Sequence, residues 1–308
     1  MSFDVPVAII IFNRPEETKR IFQEIKNIKP STLYIISDGP RESVTSDKEK
    51  VKACRDIIEN EVNWDCDIRK LYSDVNLGCK NRIVSGLNIA FDKEDYLIVL
   101  EDDCLPNPSF FWFCREMLIK YKDDKRIMNI CGTNYLSEWG NPNSYLFSYY
   151  GGIWGWASWK RAWNLNDVTM SKLFNEDTKK ALQNVLVDKN QMKIRFNEYK
   201  KTVEGANDAW DYGWSLSRLI NSGLTIVPSK NLISNIGFGP EATHTFLGAS
   251  YLSNQKTFEM EFPIQDPDIV VVDREYDKNL FKKLYKYYWI RNAVPKSVKK
   301  NIKQILKK

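Results

Sequence analysis

The sequence predicts an α/β fold with a mostly parallel central sheet, doubly wound by helices. Three observations carry that expectation. Residues 5–12, Val-Pro-Val-Ala-Ile-Ile-Ile-Phe, are continuously apolar, as a strand covered on both faces must be. Apolar runs and helix-period segments then alternate through residue 100, the pattern of βαβ units with right-handed crossovers. The last of these runs, 96–100, passes without a break into Glu101, Asp102 and Asp103, and doubly wound sheets bind ligands beyond such strand ends.

Each element has its own signal. After the first strand, Asn13-Arg14-Pro15 opens a helix over 16–28, with Ile21, Phe22, Ile25 and Ile28 on one face and Pro15 suited to the first turn. A strand at 33–37 ends in the turn Asp38-Gly39-Pro40-Arg41. A second helix over 46–61 carries Val51, Cys54, Ile57 and Ile58; a strand at 67–72 and the polar loop 73–82 follow, and a helix over 81–91 leads to the acidic strand. Beyond it come an aromatic helix over 108–121, a strand at 127–131, a helical and polar stretch at 174–203, a helix carrying Leu216, Leu219 and Ile220, and a strand at 224–228. The stretch 234–245, rich in glycine and polar groups, reads as a loop able to close over a ligand.

Three adjacent acids at the end of a buried strand repel one another unless a cation joins them, and hard oxygen ligands suit Mn2+ or Mg2+. Alternation along a strand sets Glu101 and Asp103 to one side and Asp102 to the other, which makes Asp103 the first candidate for the metal and Glu101 the second. Asn13, Arg14 and Asp38 lie at the ends of neighbouring strands and are expected in the same crevice, with Phe12 at its edge and Asn81 and Arg82 closing the 73–82 loop. No glycine-rich phosphate loop follows the first strand, which disfavours a dinucleotide oxidoreductase and a P-loop enzyme.

Four of the ten tryptophans fall within 154–163. Aromatic faces pack against the C–H faces of sugars, so Trp154, Trp156 and, further on, Trp210 are candidates for a carbohydrate platform; the alternative is a core belt. Asp211 stands between Trp210 and Trp214, either as a proton acceptor in apolar surroundings or as a cap for the helix beginning near 212.

Six cysteines at wide spacings, with no Cys-x-x-Cys pair, argue against a zinc site and a secreted disulfide framework. The N-terminus shows no signal peptide and no apolar run reaches membrane-spanning length, so a cytoplasmic protein is expected. The net charge of +5 hides an asymmetry: residues 282–308 hold ten Lys or Arg and no acid, leaving −5 on the rest. An acidic body with a basic end fits an anionic membrane surface better than nucleic acid. The division expected is a body over 1–275, with a nucleotide half to about 105 and an acceptor half beyond it, and a basic amphipathic tail over 276–308.

Six motifs, Phe12-Asn13-Arg14-Pro15, Ser37-Asp38-Gly39, Glu101-Asp102-Asp103, Trp154-Gly155-Trp156, Trp210-Asp211-Tyr212-Gly213-Trp214 and the glycine-containing loop ending at His244, together resemble inverting GT-A glycosyltransferases, in particular the bacterial relatives of N-acetylglucosaminyltransferase I. The similarity spans roughly residues 4–250, with Glu101-Asp102-Asp103 as a variant of the DxD motif. It implies a GT-A, Rossmann-like nucleotide-diphospho-sugar transferase and a UDP-sugar donor. Carried over by position, Arg14 and Asp38 hold the uracil end, Asp102 lies near the ribose, Asp103 binds Mn2+ on the diphosphate, and Asp211 is the general base. The family has Trp-Asp-Asp-Trp where this chain has Trp-Asp-Tyr-Gly-Trp, so Asp208 is the reserve base. His244, the only histidine, is a candidate for the metal or the phosphate.

The activity this implies is transfer of a hexose or N-acetylhexosamine to a bacterial surface glycan or glycolipid, such as lipopolysaccharide or capsule, at the inner face of the cell membrane. A sugar nucleotidyltransferase and a non-catalytic carbohydrate-binding relative are the rivals. The first would carry a basic, glycine-rich loop where this chain has Asn13-Arg14-Pro15-Glu16-Glu17. The second would bind glycan regardless of metal.

Overall fold

The computed structural model describes residues 3–140, 142–237 and 252–286. In the first part, β1 (Val7–Ile11), α1 (Pro15–Ile28), β2 (Thr32–Ser37), α2 (Asp47–Glu61), β3 (Asp67–Tyr72), α3 (Cys79–Lys93) and β4 (Tyr96–Glu101) alternate as the periodicities require. Every residue of β1 is buried, because the helices cover both faces. Ile9 and Ile11 meet Ile21, Phe22 and Ile25 of α1 on one side, while Ala8 and Ile10 meet Ile83, Leu87 and Phe91 of α3 on the other.

The second part holds β5 (Cys104–Pro106), α4 (Ser109–Lys120), β6 (Ile127–Cys131), β7 (Tyr145–Ser148), β8 (Trp156–Trp159), α5 (Lys160–Trp163), α6 (Glu176–Val185), α7 (Lys189–Val203), α8 (Asp211–Ile220), β9 (Leu224–Pro228), β10 (Ile233–Asn235) and α9 (Arg274–Tyr285). Eight strands form one sheet in the order β3-β2-β1-β4-β8-β6-β9-β7. The pairings β3-β2, β2-β1, β1-β4 and β6-β9 are parallel, and β8 and β7 run against the rest. The fold class is therefore α/β with a mostly parallel sheet.

From β1 the chain steps outward to β2 and β3, and α3 then returns it to β4 on the other side of β1. That reversal is a topological switch point, where the loops leaving the two strands diverge and open a crevice at their carboxyl ends. Residues 12–14 and 101–103 stand there. A two-stranded ribbon of β5 and β10, with Asn235 opposite Cys104, brings residues 236–237 beside Asp103.

Two expectations are corrected. The tryptophan segment is an internal strand: β8 lies between β4 and β6, with Trp156 and Trp159 both buried. And α9, most of which was set apart with the tail, docks on the body. Tyr276, Asp277 and Leu280 are buried, and Val272, just before the helix, bridges to Phe147 of β7. Its apolar spacing of four residues gives the helix one face to bury. Residues 287–308 lie outside the described residues, as does most of the 234–245 loop. Among the described residues, no helix is long and apolar enough to cross a membrane.

Candidate active site

Pro15 fixes the start of α1, and the residue before a proline is kept out of the helical region. Arg14 accordingly sits at φ −122° and ψ 79°, and its guanidinium turns back over the end of β4. Nη1 donates to Asp103 Oδ2 at 2.8 Å and to Asp102 Oδ1 at 3.4 Å. The backbone N–H of Phe12 donates to Asp102 Oδ2 at 3.0 Å. Asp102 and Asp103 thus converge on one cation, contrary to the strand alternation. The reason is that β4 ends at Glu101 and the chain turns at 102–103.

Glu101 has no such partner. Its Oε1 is buried without a hydrogen bond. Burial, then the charges of Asp103, Asp102 and Asp211, holds its carboxyl well above the usual range, with Arg14 opposing. Burial also pushes Asp102 up to about 7, against the pull of Arg14. Glu101, Asp102 and Asp103 thus crowd the switch point around the Arg14 guanidinium.

Two further elements close on the same place. Asp211 lies in the first turn of α8, whose N-cap is Trp210. It therefore does not cap the helix, and the helix dipole favours its charge there. Gly78 enters α3 at φ +81°, and a Cβ on it would stand 3.2 Å from Asp208 Oδ2. Cys79, the next residue, is exposed as a whole, yet desolvation around its thiol and the charges of Glu101, Asp208, Asp211 and Asp102 push it up to about 12. The end of β4, the start of α3 and the start of α8 therefore share one acidic field.

Other candidates have structural work instead. Both carboxylate oxygens of Asp38 accept from backbone: Gly39 N–H at 2.9 Å, Leu77 N–H at 2.9 and 3.1 Å, and Gly78 N–H at 3.0 Å. These bonds pin the 73–78 loop at the end of β2. Arg55 completes the clamp through Ser37 Oγ and the carbonyls of Asp38 and Ser73. Asn13 is held by the fully buried Asp47, which also takes Arg41 at 2.6 and 3.0 Å. Arg41 in turn lies 5.4 Å over the Phe12 ring. Asn81 is exposed and donates to the Leu77 carbonyl at 3.1 Å. Arg82 is buried, with Nε and Nη2 unpartnered and Nη2 tucked over Gly86, inside the layer between α3 and β2.

Trp156 and Trp210 are corrected as sugar-binding residues. They are 0% and 3% exposed and pack, with tilted rings, among Trp163, Trp214 and Phe91 between the sheet and its helices. Trp154 alone of the three is partly exposed, 5.3 Å from Tyr135 in an edge-on contact. His244 lies outside the described residues.

Sequence reasoning missed Asp47, Arg55 and Gly237. Gly237 follows β10, and Asp103 Oδ2 occupies the space its Cβ would need. The only signal was the glycine itself. Among the described residues no three Asp, Glu, Cys or His side chains form a cage for a cation. The donors that are present, Asp103 with the orphaned oxygen of Glu101 beside it, suit an ion that takes one or two carboxylates and fills its shell from substrate phosphate and water, as Mg2+ does.

The sequence matches no protein-family model and no curated protein. Among solved structures, the fold is similar to mannosyltransferase PcManGT from Pyrobaculum calidifontis in complex with GDP-Man and Mn2+, at 12% identity over 71% of this chain and 70% of that one, with a TM-score of 0.39. It is similar also to an apo UDP-glucose pyrophosphorylase (11% identity, 75% and 93%, 0.42). A third is the inositol-1-phosphate CTP transferase from T. maritima (9%, 82% and 95%, 0.41). These likenesses are distant, and the fold class stands on the strand order and pairing.

Proposed function

We propose that this chain is a metal-dependent, inverting glycosyltransferase of the GT-A type, moving a sugar from a UDP-sugar to a glycan. The observation that carries the reading is Glu101 Oε1, buried and without a hydrogen bond, beside Asp102 and Asp103, which share the Arg14 guanidinium. Such a cluster of carboxylates is met by a divalent cation and not by apolar contacts. The ion, held by Asp103 with Glu101 beside it, would neutralise the diphosphate that departs.

The chain's own residues then divide the work. Arg14 fixes Asp103 and Asp102, and the Phe12 ring with the Asn13–Asp47–Arg41 group forms the wall of the nucleotide side. Asp211, at the start of α8, is the carboxylate to take the proton of the acceptor hydroxyl, and Asp208 is its reserve. Trp154 and Tyr135 border the acceptor side. A carbohydrate-binding relative without catalysis loses support because Trp156 and Trp210 are core residues. The acceptor we infer is a bacterial surface glycan or glycolipid, reached from the cytoplasmic face of the membrane through the basic 282–308 stretch.

Calorimetric titration of UDP, with and without Mn2+, on the wild type and on Asp103→Asn tests this. Binding that needs Mn2+ and weakens at least about tenfold in the variant is expected. No UDP binding under any condition would overturn the reading.

A further inference from the structure

Arg195, on α7, is held differently from Arg161 and Arg55. Arg161 spends its guanidinium on the carbonyls of Lys122, Ile127, Tyr121 and Asp124. Arg55 is likewise bonded at Ser37, Asp38 and Ser73. Among the described residues Arg195 has no hydrogen bond or ion pair, and its Nε is buried without a partner.

Ring faces hold it instead. Its guanidinium carbon lies 4.9 Å from the centre of Tyr150 and 5.5 Å from that of Tyr285. Contact with ring faces uses no hydrogen-bond acceptor, and guanidinium N–H groups are what grip a carboxylate or phosphate through paired hydrogen bonds. The rings are themselves fixed. Tyr150 donates to Gln191 Oε1 at 2.6 Å, the hydroxyls of Tyr199 and Ser215 are 2.9 Å apart, and Tyr199 meets Tyr212 edge-on at 6.2 Å.

This box adjoins the acidic field. Arg195 is one helical turn before Tyr199, and Tyr212 directly follows Asp211. Burial raises the hydroxyls of Tyr135, Tyr199, Tyr212 and Tyr285, and each of the four also feels the negative charge of Asp211 and the positive charge of Arg195. Trp154 packs on Tyr135 at the border.

We propose that Arg195 is the anion receptor of the acceptor subsite. The acceptor carries a carboxylate or a phosphate, and the guanidinium edge holds it so that a nearby hydroxyl is set toward Asp211. The role of Asp211 here rests on the glycosyltransferase reading; the anion site does not.

The test titrates the full chain with methyl β-D-glucuronide, glucose 6-phosphate and methyl β-D-glucoside, at about 50 and about 500 mM salt. One or both charged probes should bind roughly tenfold more tightly than the glucoside at low salt, with the gap closing at high salt. Whichever charged probe binds better names the acid as carboxylate or phosphate. Arg195→Gln should erase the preference, and Arg195→Lys should keep part of it. Equal binding of charged and neutral probes, binding of none, or a preference that survives in Arg195→Gln overturns the proposal. The salt series on the wild type decides even if the variants misfold. A protein that ignores UDP but shows the Arg195-dependent preference loses the transferase reading and keeps the anion site; the converse result removes the anion site alone.

Discussion

Asp103 Oδ2 fills the space that a Cβ on Gly237 would need. The same oxygen takes Nη1 of Arg14 at 2.8 Å, and the Asp103 carbonyl takes the N–H of Ile236 at 2.8 Å. The ribbon of β5 and β10 therefore works as a backstop that sets where this carboxylate stands.

Gly237→Ala should cost both function and stability. The methyl group would meet Asp103 Cβ at 2.6 Å and Cγ at 2.9 Å as well as Oδ2, so turning the carboxylate does not clear it and the backbone at Asp103 or Gly237 must shift, at a cost of about 1–3 kcal/mol. The carboxylate moves off Arg14 in the process. Mn2+-dependent UDP affinity should fall by about tenfold or more while the melting temperature moves by a few degrees. Titration and thermal melting on one preparation check this, and unchanged affinity would mean that the present position of Asp103 is not the binding one.

Glu101→Gln should stabilise the protein in the absence of metal. A carboxyl raised by burial and by Asp103 and Asp102 binds its proton more tightly when folded than when unfolded, so the wild type loses stability as pH rises above the ordinary carboxylate range. The amide removes that loss, and a gain of about 1–2 kcal/mol is expected above neutral pH, shrinking toward acid. The same change should reduce the stabilisation that Mn2+ confers. Denaturant melts at two pH values, with and without metal, read both effects.

The parts of the fold that were legible are those whose signal is local. The apolar run of β1 and the helical spacing of Ile21, Phe22 and Ile25 fix which faces are buried without knowledge of any partner. The site was legible as far as the run into Glu101 and the Pro15 that orients Arg14. The rest depended on partners distant in sequence. Trp156 looks like a ring offered to a ligand until β4 and β6 are known to flank it. Asp38 looks free until Leu77 and Gly78 arrive from a loop about forty residues later. Extending strand alternation past Glu101 failed because a turn has no two-residue period. Asp47, at a helix start, gave nothing to distinguish it from a solvent-facing acid, although it is fully buried.

Asp277 links α9 to the body and gives that docking a pH dependence. It accepts from the Ser148 hydroxyl and, at 3.4 Å, from the Tyr149 N–H, and it is 4% exposed. Burial pushes its carboxyl up to about 6, with those hydrogen bonds and Arg274 opposing. The folded chain therefore holds the proton more tightly than the unfolded chain does, so stability falls as pH climbs between the ordinary aspartate value and about 6, and levels off above it. A shift of this size corresponds to on the order of 3 kcal/mol across that window. Asp277→Asn keeps the shape and loses the titration. Relative to the wild type, the variant should gain stability on going from about pH 4 to about pH 7, as read by denaturant midpoints at both. Parallel midpoints would show that Asp277 ionises as an ordinary surface aspartate. In that case the docking of α9 would carry no electrostatic cost from Asp277 at neutral pH.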